Sequence, residues 1–226
     1  MSARESSPAA QSRQALSRAT ILETAIRVAD EGGVDGVAKM SMRSLARELG
    51  FEVMSLYNHI ANKAELLAAM VDETALEVPA PDPYGDPMAA VRFIAVETQA
   101  ALVRHPWAAG LWQESLPGPG RLRIMERLLA AFAATELSHE VAHHGYHAVI
   151  NHVLGYTLQA QALSMGDSEE EAMAVVTSFL DSFDAAEFPH TVEHVHQHLR
   201  GETGPSFELV LDLILDGLIR LDGAAD

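Results

Sequence analysis

The chain has 226 residues, with 15 Lys and Arg against 32 Asp and Glu, which gives a formal net charge of −17. Apolar residues make up 48 % and charged residues 21 %, a composition that is typical of a globular protein and excludes a wholly disordered chain. There is no cysteine, which excludes disulfides, thiolate nucleophiles and cysteine-based zinc fingers. No apolar run approaches the ~18–20 residues that span a bilayer, and the polar N-terminus does not resemble a secretory signal, so we expect a cytoplasmic protein without a membrane partner.

The negative charge is unevenly distributed along the chain. Between Arg13 and Lys63 there are 7 basic and 6 acidic residues, a net charge of 7 − 6 = +1. The remainder has 8 basic and 26 acidic residues, a net charge of 8 − 26 = −18. Such an asymmetry indicates a DNA-facing part joined to a part that does not contact DNA.

The N-terminal third of the chain is predicted to form a tail followed by four helices. Residues 1–15 are polar and lack a hydrophobic period, which is typical of a flexible tail. Ser17 and Ser41 are favourable N-caps for the first two helices, and Gly50 ends the second. Asn62 followed by Glu65 predicts a capping box at the start of the fourth. The predicted helices run over about 17–31, 42–49, 53–60 and 63–75.

Prolines 79, 81, 83 and 87 mark the clearest boundary in the chain, because proline lacks an N–H donor and bars the preceding residue from a helix. Every segment beyond this boundary has a helical pattern, and no alternating run is long enough for a sheet. The sequence therefore predicts an all-α fold. The predicted helices run over roughly 87–104, 107–114, 119–136, 139–165, 168–184, 190–199 and 205–221.

Residues 41–63 have the pattern of a helix-turn-helix, which is two short helices joined by a tight glycine-containing turn. Leu45, Ala46 and Leu49 of the first helix are placed to pack against Leu56 and Ile60 of the second. The second helix is then free to enter a DNA major groove about 12 Å wide.

Two motifs make this pattern more specific. They are Met42-Arg43-x-Leu45-Ala46-x-x-Leu49-Gly50 and Ser55-Leu56-Tyr57-x-His59-Ile60-x-Asn62-Lys63-x-x-Leu66-Leu67. Together they resemble the TetR family of bacterial repressors, and within it the tetracycline-repressor-like branch. The resemblance implies a homodimer that binds a palindromic operator and releases it when a small-molecule effector binds, with no enzymatic activity and no cofactor. It divides the chain into a DNA-binding domain (16–62), a connecting helix (63–78) and a ligand-binding and dimerisation domain (84–226).

The resemblance also implies a set of DNA contacts. Arg43 matches a base-contacting position, where its guanidinium can bind guanine O6 and N7; the alternative is a phosphate-contacting or surface arginine. Tyr57 is expected at a phosphate, with a packed core aromatic as the alternative. His59 is a backbone contact or a residue of the helix packing. The complete predicted set is Arg43, Val53, Met54, Ser55, Tyr57, His59 and Lys63.

The last predicted helix, 205–221, is apolar on most faces and must be buried on more than one side. One interpretation is a dimer helix that packs with the 139–165 helix in an intersubunit four-helix bundle, and the other is the central helix of a monomer. The 139–165 helix carries Ala148, Gly155 and Ala162 at seven-residue spacing, which permits close packing.

Eight residues of the C-terminal domain are candidates for an apolar ligand pocket with a few polar anchors. Two of them are the only tryptophans, and the amides of Asn151 and Gln159 need a partner on otherwise apolar helices. Each residue is alternatively plain core. The candidates are Phe93, Trp107, Trp112, Met125, His147, Asn151, Gln159 and Phe179.

The eleven histidines leave a second function open. His139, His143 and His147 have i, i+4, i+8 spacing, as do His190, His194 and His198, and two His at i, i+4 can share a metal ion. The alternatives are a metal-responsive regulator or metal-binding protein, histidines that line a pocket, and solvent-exposed histidines. No P-loop, GxSxG, HExxH or dinucleotide fingerprint supports an enzyme.

Overall fold

The computed structural model describes residues 15–162, 169–200 and 206–223, and every regular element in that part is helical. The all-α prediction is therefore confirmed. The predicted breaks at 166–167 and 201–204 lie outside the described residues. So does the predicted tail, except for Ala15. The first five helices are α1 (Arg18–Glu31), α2 (Gly36–Lys39), α3 (Met42–Leu49), α4 (Val53–Tyr57) and α5 (Lys63–Leu76).

The helix starts in this region follow from their capping residues. The Ser17 hydroxyl accepts a hydrogen bond from the Thr20 amide at 3.1 Å, and the Ser41 hydroxyl accepts one from the Ser44 amide at the same distance. Gly50 ends α3 in the left-handed conformation, with φ of 74°, where a side chain would be strained. These predicted boundaries are therefore confirmed.

Two local features differ from the prediction. α4 ends at Tyr57 rather than near 60, and a tighter turn follows, in which the His59 amide donates to the Leu56 carbonyl three residues back. This turn buries Ile60 in the core. A short 3₁₀ turn and α2 also follow α1, where Gly36 packs so closely that a Cβ would lie 1.9 Å from the Ala29 carbonyl oxygen.

The C-terminal part adds seven helices within the described residues. Of the predicted segments, α7 is the most shortened in proportion to its length, with four residues instead of eight. No helix in the described ranges is long and apolar enough to cross a membrane. The helices are α6 (Pro87–Arg104), α7 (Ala108–Leu111), α8 (Pro119–Ala133), α9 (His139–Ala162), α10 (Glu169–Leu180), α11 (Pro189–Leu199) and α12 (Phe207–Gly223).

α5 is the helix that joins the two parts. It packs against α1 on one side and against α6, α7 and α8 on the other, while α6, α8, α9 and α12 form the main bundle. Buried apolar side chains run without a break from Ile21 in α1 to Leu218 in α12. No described residue of α10 or α11 belongs to this core, so those two helices lie at its edge.

Candidate nucleic-acid interface and ligand cavity

α3 and α4 form a compact helix-turn-helix. Leu45, Ala46, Leu56 and Ile60 are buried between the helices and the rest of the N-terminal part, as the sequence predicts. The Phe51 amide donates to the Ala46 carbonyl at 3.0 Å and closes the turn. α4 therefore packs against α3 and the core through one side and presents its other side to solvent.

The solvent side of this unit carries most of the predicted DNA contacts. Arg43, Tyr57 and His59 are exposed, and Met54 is 68 % exposed. Ser55 is half-buried, and so is Val53, which packs against the core. Exposed apolar side chains at the start of α4 are available for apolar contact with thymine methyl groups.

Arg43 has no acidic partner among the described residues, unlike Arg27 of α1. Arg27 is paired with Glu31 and Glu48, each at 2.5 Å, and is thus neutralised. The guanidinium of Arg43 therefore keeps all five donors for a phosphate or a guanine edge.

Lys63 has a role that the sequence did not predict. Its ammonium donates to the Met40 carbonyl at 2.7 Å and to the Val37 carbonyl at 2.9 Å. It thus ties the start of α5 to the end of α2, where carbonyls lack helical partners. Only one N–H remains for the predicted phosphate contact.

A cavity of about 500 Å³ lies between α8, α9 and the chain that follows α7. This volume is within the range of small-molecule sites. Four of the eight predicted pocket residues line it: Trp112, Met125, His147 and Asn151. The remaining lining residues are Gln113, Glu114, Ser115, Leu116, Pro117, Arg121, Ile124, Leu128, Tyr146 and Ile150.

The cavity combines apolar walls with free polar groups. The Asn151 amide and the Tyr146 hydroxyl make no hydrogen bond to any described residue. Burial raises the pKa of Tyr146, so its phenol stays protonated at neutral pH and can donate a hydrogen bond. A wider groove runs along α10, but α10 and the turn after it supply all of its lining residues and cannot enclose a ligand.

The other four predicted pocket residues lie elsewhere. Phe93 is partly exposed on α6, and Gln159 is exposed on α9. Gln161, on the same helix as Gln159, does have a partner, because its side-chain amide donates to the Pro106 carbonyl at 2.9 Å. Phe179 contacts Phe183 at the edge of α10, with ring centroids 5.2 Å apart. None of these residues lines the cavity.

Trp107, the fourth, is 2 % exposed and donates from its indole nitrogen to Asp30 of α1 at 2.7 Å. His105 is also buried there, with Nδ1 2.9 Å from Asp30 and Nε2 3.1 Å from Glu77. Carboxylates only accept hydrogen bonds, so each ring nitrogen of His105 faces an acceptor. These residues join α1 to the ends of α5 and α6.

Sequence analysis missed Tyr146 and Ile150 in the cavity. Both lie one residue before a predicted member, His147 or Asn151, and four residues apart from each other. That i, i+1, i+4, i+5 spacing marks one face of α9 and was the available signal.

The two groups of histidines make ring contacts within their own helices, and in the part of the chain that the structure describes they are not joined by further metal-ligating side chains. His143 and His147 make an edge contact with ring centroids 4.9 Å apart, and His194 and His198 do so at 4.5 Å. The Nδ1 of His198 lies 3.0 Å from the His194 carbonyl of its own helix. Within the described ranges, no three His, Asp or Glu side chains converge to hold an ion.

The fold and the exposed face of α3–α4 define a helix-turn-helix protein with a helical domain that contains a cavity. Residues 21–70 match the family model for bacterial regulatory proteins of the tetR family, and residues 79–221 match the tetracyclin repressor-like C-terminal domain. The chain therefore belongs to the TetR family, whose members are transcriptional regulators and not enzymes.

Individual relatives support this assignment. The chain is 38 % identical over 112 residues to the HTH-type transcriptional repressor DrrR1 of Streptomyces coeruleorubidus, and 34 % identical over 143 residues to an HTH-type transcriptional regulator of Saccharopolyspora erythraea. These matches cover 48 % and 62 % of this chain but only 40 % and 59 % of those relatives. The structure of ActR from Streptomyces coelicolor in complex with actinorhodin is similar, with a TM-score of 0.73, 28 % identity and coverage of 93 % of this chain and all of that one.

We predict that Lys63→Ala lowers the free energy of unfolding by about 1.5–3 kcal/mol, because the Val37 and Met40 carbonyls lose a charged donor. Chemical denaturation of the DNA-free protein measures this. Lys39→Ala is the matched control, since Lys39 is exposed and makes no hydrogen bond to a described residue. Equal stability of the two variants would contradict the role given to Lys63.

Proposed function

We propose that this protein is a homodimeric transcriptional repressor that binds a palindromic operator and releases it when a small-molecule effector binds. The observation that carries the proposal is the exposed face of α3–α4, on which Arg43 has no acidic partner among the described residues. The two parts of the chain both match TetR-family models. A regulator of this kind acts on DNA in the cytoplasm.

For operator binding, we assign base recognition to Arg43 and apolar base contacts to Val53 and Met54. Ser55, Tyr57 and His59 bind the DNA backbone, and the remaining N–H of Lys63 reaches a phosphate. Two recognition helices related by a twofold axis would read half-sites about 34–36 Å apart.

For dimerisation, we assign the outer faces of α9 and α12. Leu209, Leu213 and Leu221 of α12 are each more than half exposed, although α12 also contributes buried residues to the core. A Cβ at Gly155 of α9 or Gly217 of α12 would meet no atom within 4 Å, so neither glycine is required by the packing of one subunit. An apolar patch of this kind is typical of an interface, and a second copy of the chain is its proposed partner.

For the effector, we assign the cavity between α8 and α9. Apolar and aromatic walls with unpaired groups from Asn151 and Tyr146 suit a planar, largely apolar molecule with a few hydrogen-bonding substituents. The complex of ActR with actinorhodin supports this class of ligand. The two DNA-binding domains of the dimer can lie at a spacing that fits the operator or at one that does not. The effector releases DNA only if it binds more tightly to the protein with the second spacing.

Selection of duplexes from a random pool by the purified protein tests operator binding, and we expect a palindrome to be enriched. Arg43→Ala should weaken binding to this duplex by about 5- to 150-fold and relax the preference at one base pair, since a bidentate guanine contact contributes ~1–3 kcal/mol. Arg123→Ala on α8, which removes an exposed cation outside the DNA-binding domain, should leave affinity unchanged. An equal loss on all duplexes would make Arg43 a phosphate contact.

Light scattering tests the dimer. Leu213→Asp, which places a charge at a 57 % exposed position of α12, should reduce the molar mass from two chains to one and weaken operator binding. Leu122→Asp on α8, at a 50 % exposed position, is the control and should remain dimeric. A wild-type protein of one chain mass would contradict the proposed assembly.

Actinorhodin is the probe for the cavity. It should release the selected duplex from wild-type protein, and Met125→Trp should abolish release without weakening DNA binding, because the larger side chain fills the cavity. Leu129→Trp, one turn further along α8 and outside this cavity, should respond as wild type. Failure of wild type to release would exclude actinorhodin as an effector, and release from Met125→Trp would exclude this cavity.

A further inference from the structure

Arg121, at the start of α8, is 4 % exposed and has every guanidinium donor engaged. Its Nη1 donates to the carbonyls of Trp112 at 2.6 Å and Ser115 at 3.1 Å. Its Nη2 donates to the Leu116 carbonyl at 2.8 Å and the Ser115 hydroxyl at 3.1 Å. One side chain therefore fixes four oxygens of the segment 112–116, which forms one wall of the cavity.

The same guanidinium is held by Asp72 of α5. Nε lies 3.2 Å from Oδ1 and Nη2 lies 3.3 Å from Oδ2, and the Arg121 amide also donates to Oδ1 at 3.0 Å. Both side chains of this pair are largely buried. With all five N–H groups occupied, Arg121 has no donor left for an effector, so its charge does not serve as an anion site.

Backbone packing makes this junction rigid. A Cβ at Gly120 would lie 2.0 Å from the Asp72 carbonyl oxygen, and one at Gly118 would lie 2.1 Å from Asp72 Oδ2. The chain at the start of α8 is therefore in direct contact with α5 on both sides of Pro119. Movement of the cavity wall relative to α5 would have to break these contacts, because packed interiors do not deform continuously.

α5 continues from Asp72 into the DNA-binding domain. Lys63, nine residues earlier and about 14 Å away at 1.5 Å per residue, begins the helix. There Glu65 accepts from Arg18 of α1 at 2.6 Å and from the Ala61 amide at 2.8 Å. The hydrogen bond from Arg18 lowers the pKa of Glu65, which stays ionised and holds the chain after α4 in place.

We propose that Arg121 is a positioning residue that couples the cavity to the DNA-binding domain, by binding the wall segment 112–116 to α5 through Asp72. An effector that displaces this wall moves α5, and operator binding to α3–α4 orders the wall through the same contacts, since coupling between two sites is reciprocal. The inference rests on the proposed function, because it gives that effector site its link to DNA.

The reciprocal direction can be measured without an effector, and the selected operator duplex is the probe. Amide hydrogen exchange is followed in the full-length protein with and without the duplex. In wild type, we expect the duplex to slow exchange at residues 112–116 by about 5-fold or more, in line with typical coupling energies. Arg121→Lys keeps a positive charge beside Asp72 but removes the planar set of guanidinium donors. In this variant we expect the duplex to slow exchange at residues 112–116 by less than about 2-fold.

Asp72→Asn is a second variant, which keeps the side-chain size but removes the negative charge that binds the Arg121 guanidinium. Arg127→Lys is the matched control: Arg127 is also on α8 and donates to the Val78 carbonyl at 2.8 Å, but does not touch the cavity wall. Both coupling variants should bind the duplex as tightly as wild type and protect residues 41–63 equally. A purely structural role would change basal exchange and stability, and leave the response to the duplex intact.

The outcomes separate the two proposals. If wild type selects no duplex, the proposed function fails and the inference fails with it. If the duplex binds but residues 112–116 respond equally in wild type and both coupling variants, or do not respond in wild type, only the inference is overturned. Loss of the response in Arg127→Lys as well would also overturn it, because any change on α8 would then suffice.

Discussion

The packing of α5 into two surfaces at once is the constraint on which the rest of the structure depends. Its first turns close the core of the helix-turn-helix through Leu66, and its later turns pack against α6, α7 and α8. Because one continuous core runs through both parts, the DNA-binding domain cannot reorient without a change at α5. Polar contacts reinforce the C-terminal part of α5 on two sides. Asp72 of α5 binds Arg121 of α8, and His105 lies between Asp30 of α1 and Glu77 at the end of α5.

Charge is organised around the same division. The chain carries a net charge of −17, and the surface of α3 presents Arg43 without an acidic partner while Arg27 and Arg18 are paired with carboxylates. The stretch from Arg13 to Lys63, which contains the helix-turn-helix, has a net charge of +1, whereas the remainder of the chain has a net charge of −18. The acidic composition of the whole chain is therefore compatible with DNA binding by one face.

Much of the architecture was predictable, because it depends on neighbours in the sequence. Ser17, Ser41 and Asn62 cap their helices through amides three residues ahead, and Gly50 ends α3 in a conformation that other residues avoid. The cavity was only partly predictable: Trp112 and Asn151 line it, whereas Trp107 and Gln159 do not. A tryptophan in an apolar context indicates burial, and the sequence does not specify which buried neighbour it meets.

The sequence by itself determined the helical class, the helix boundaries near capping residues and glycines, and the helix-turn-helix with its family, since these follow from contacts within a few residues. Only the tertiary structure decided that Lys63 binds carbonyls of α2, that Trp107 binds Asp30, and that Arg121 and Asp72, 49 residues apart, meet beside the cavity. The physical reason is that long polar side chains have many potential partners. The packing of distant helices selects one of these partners, because it brings the two groups together and excludes water from between them.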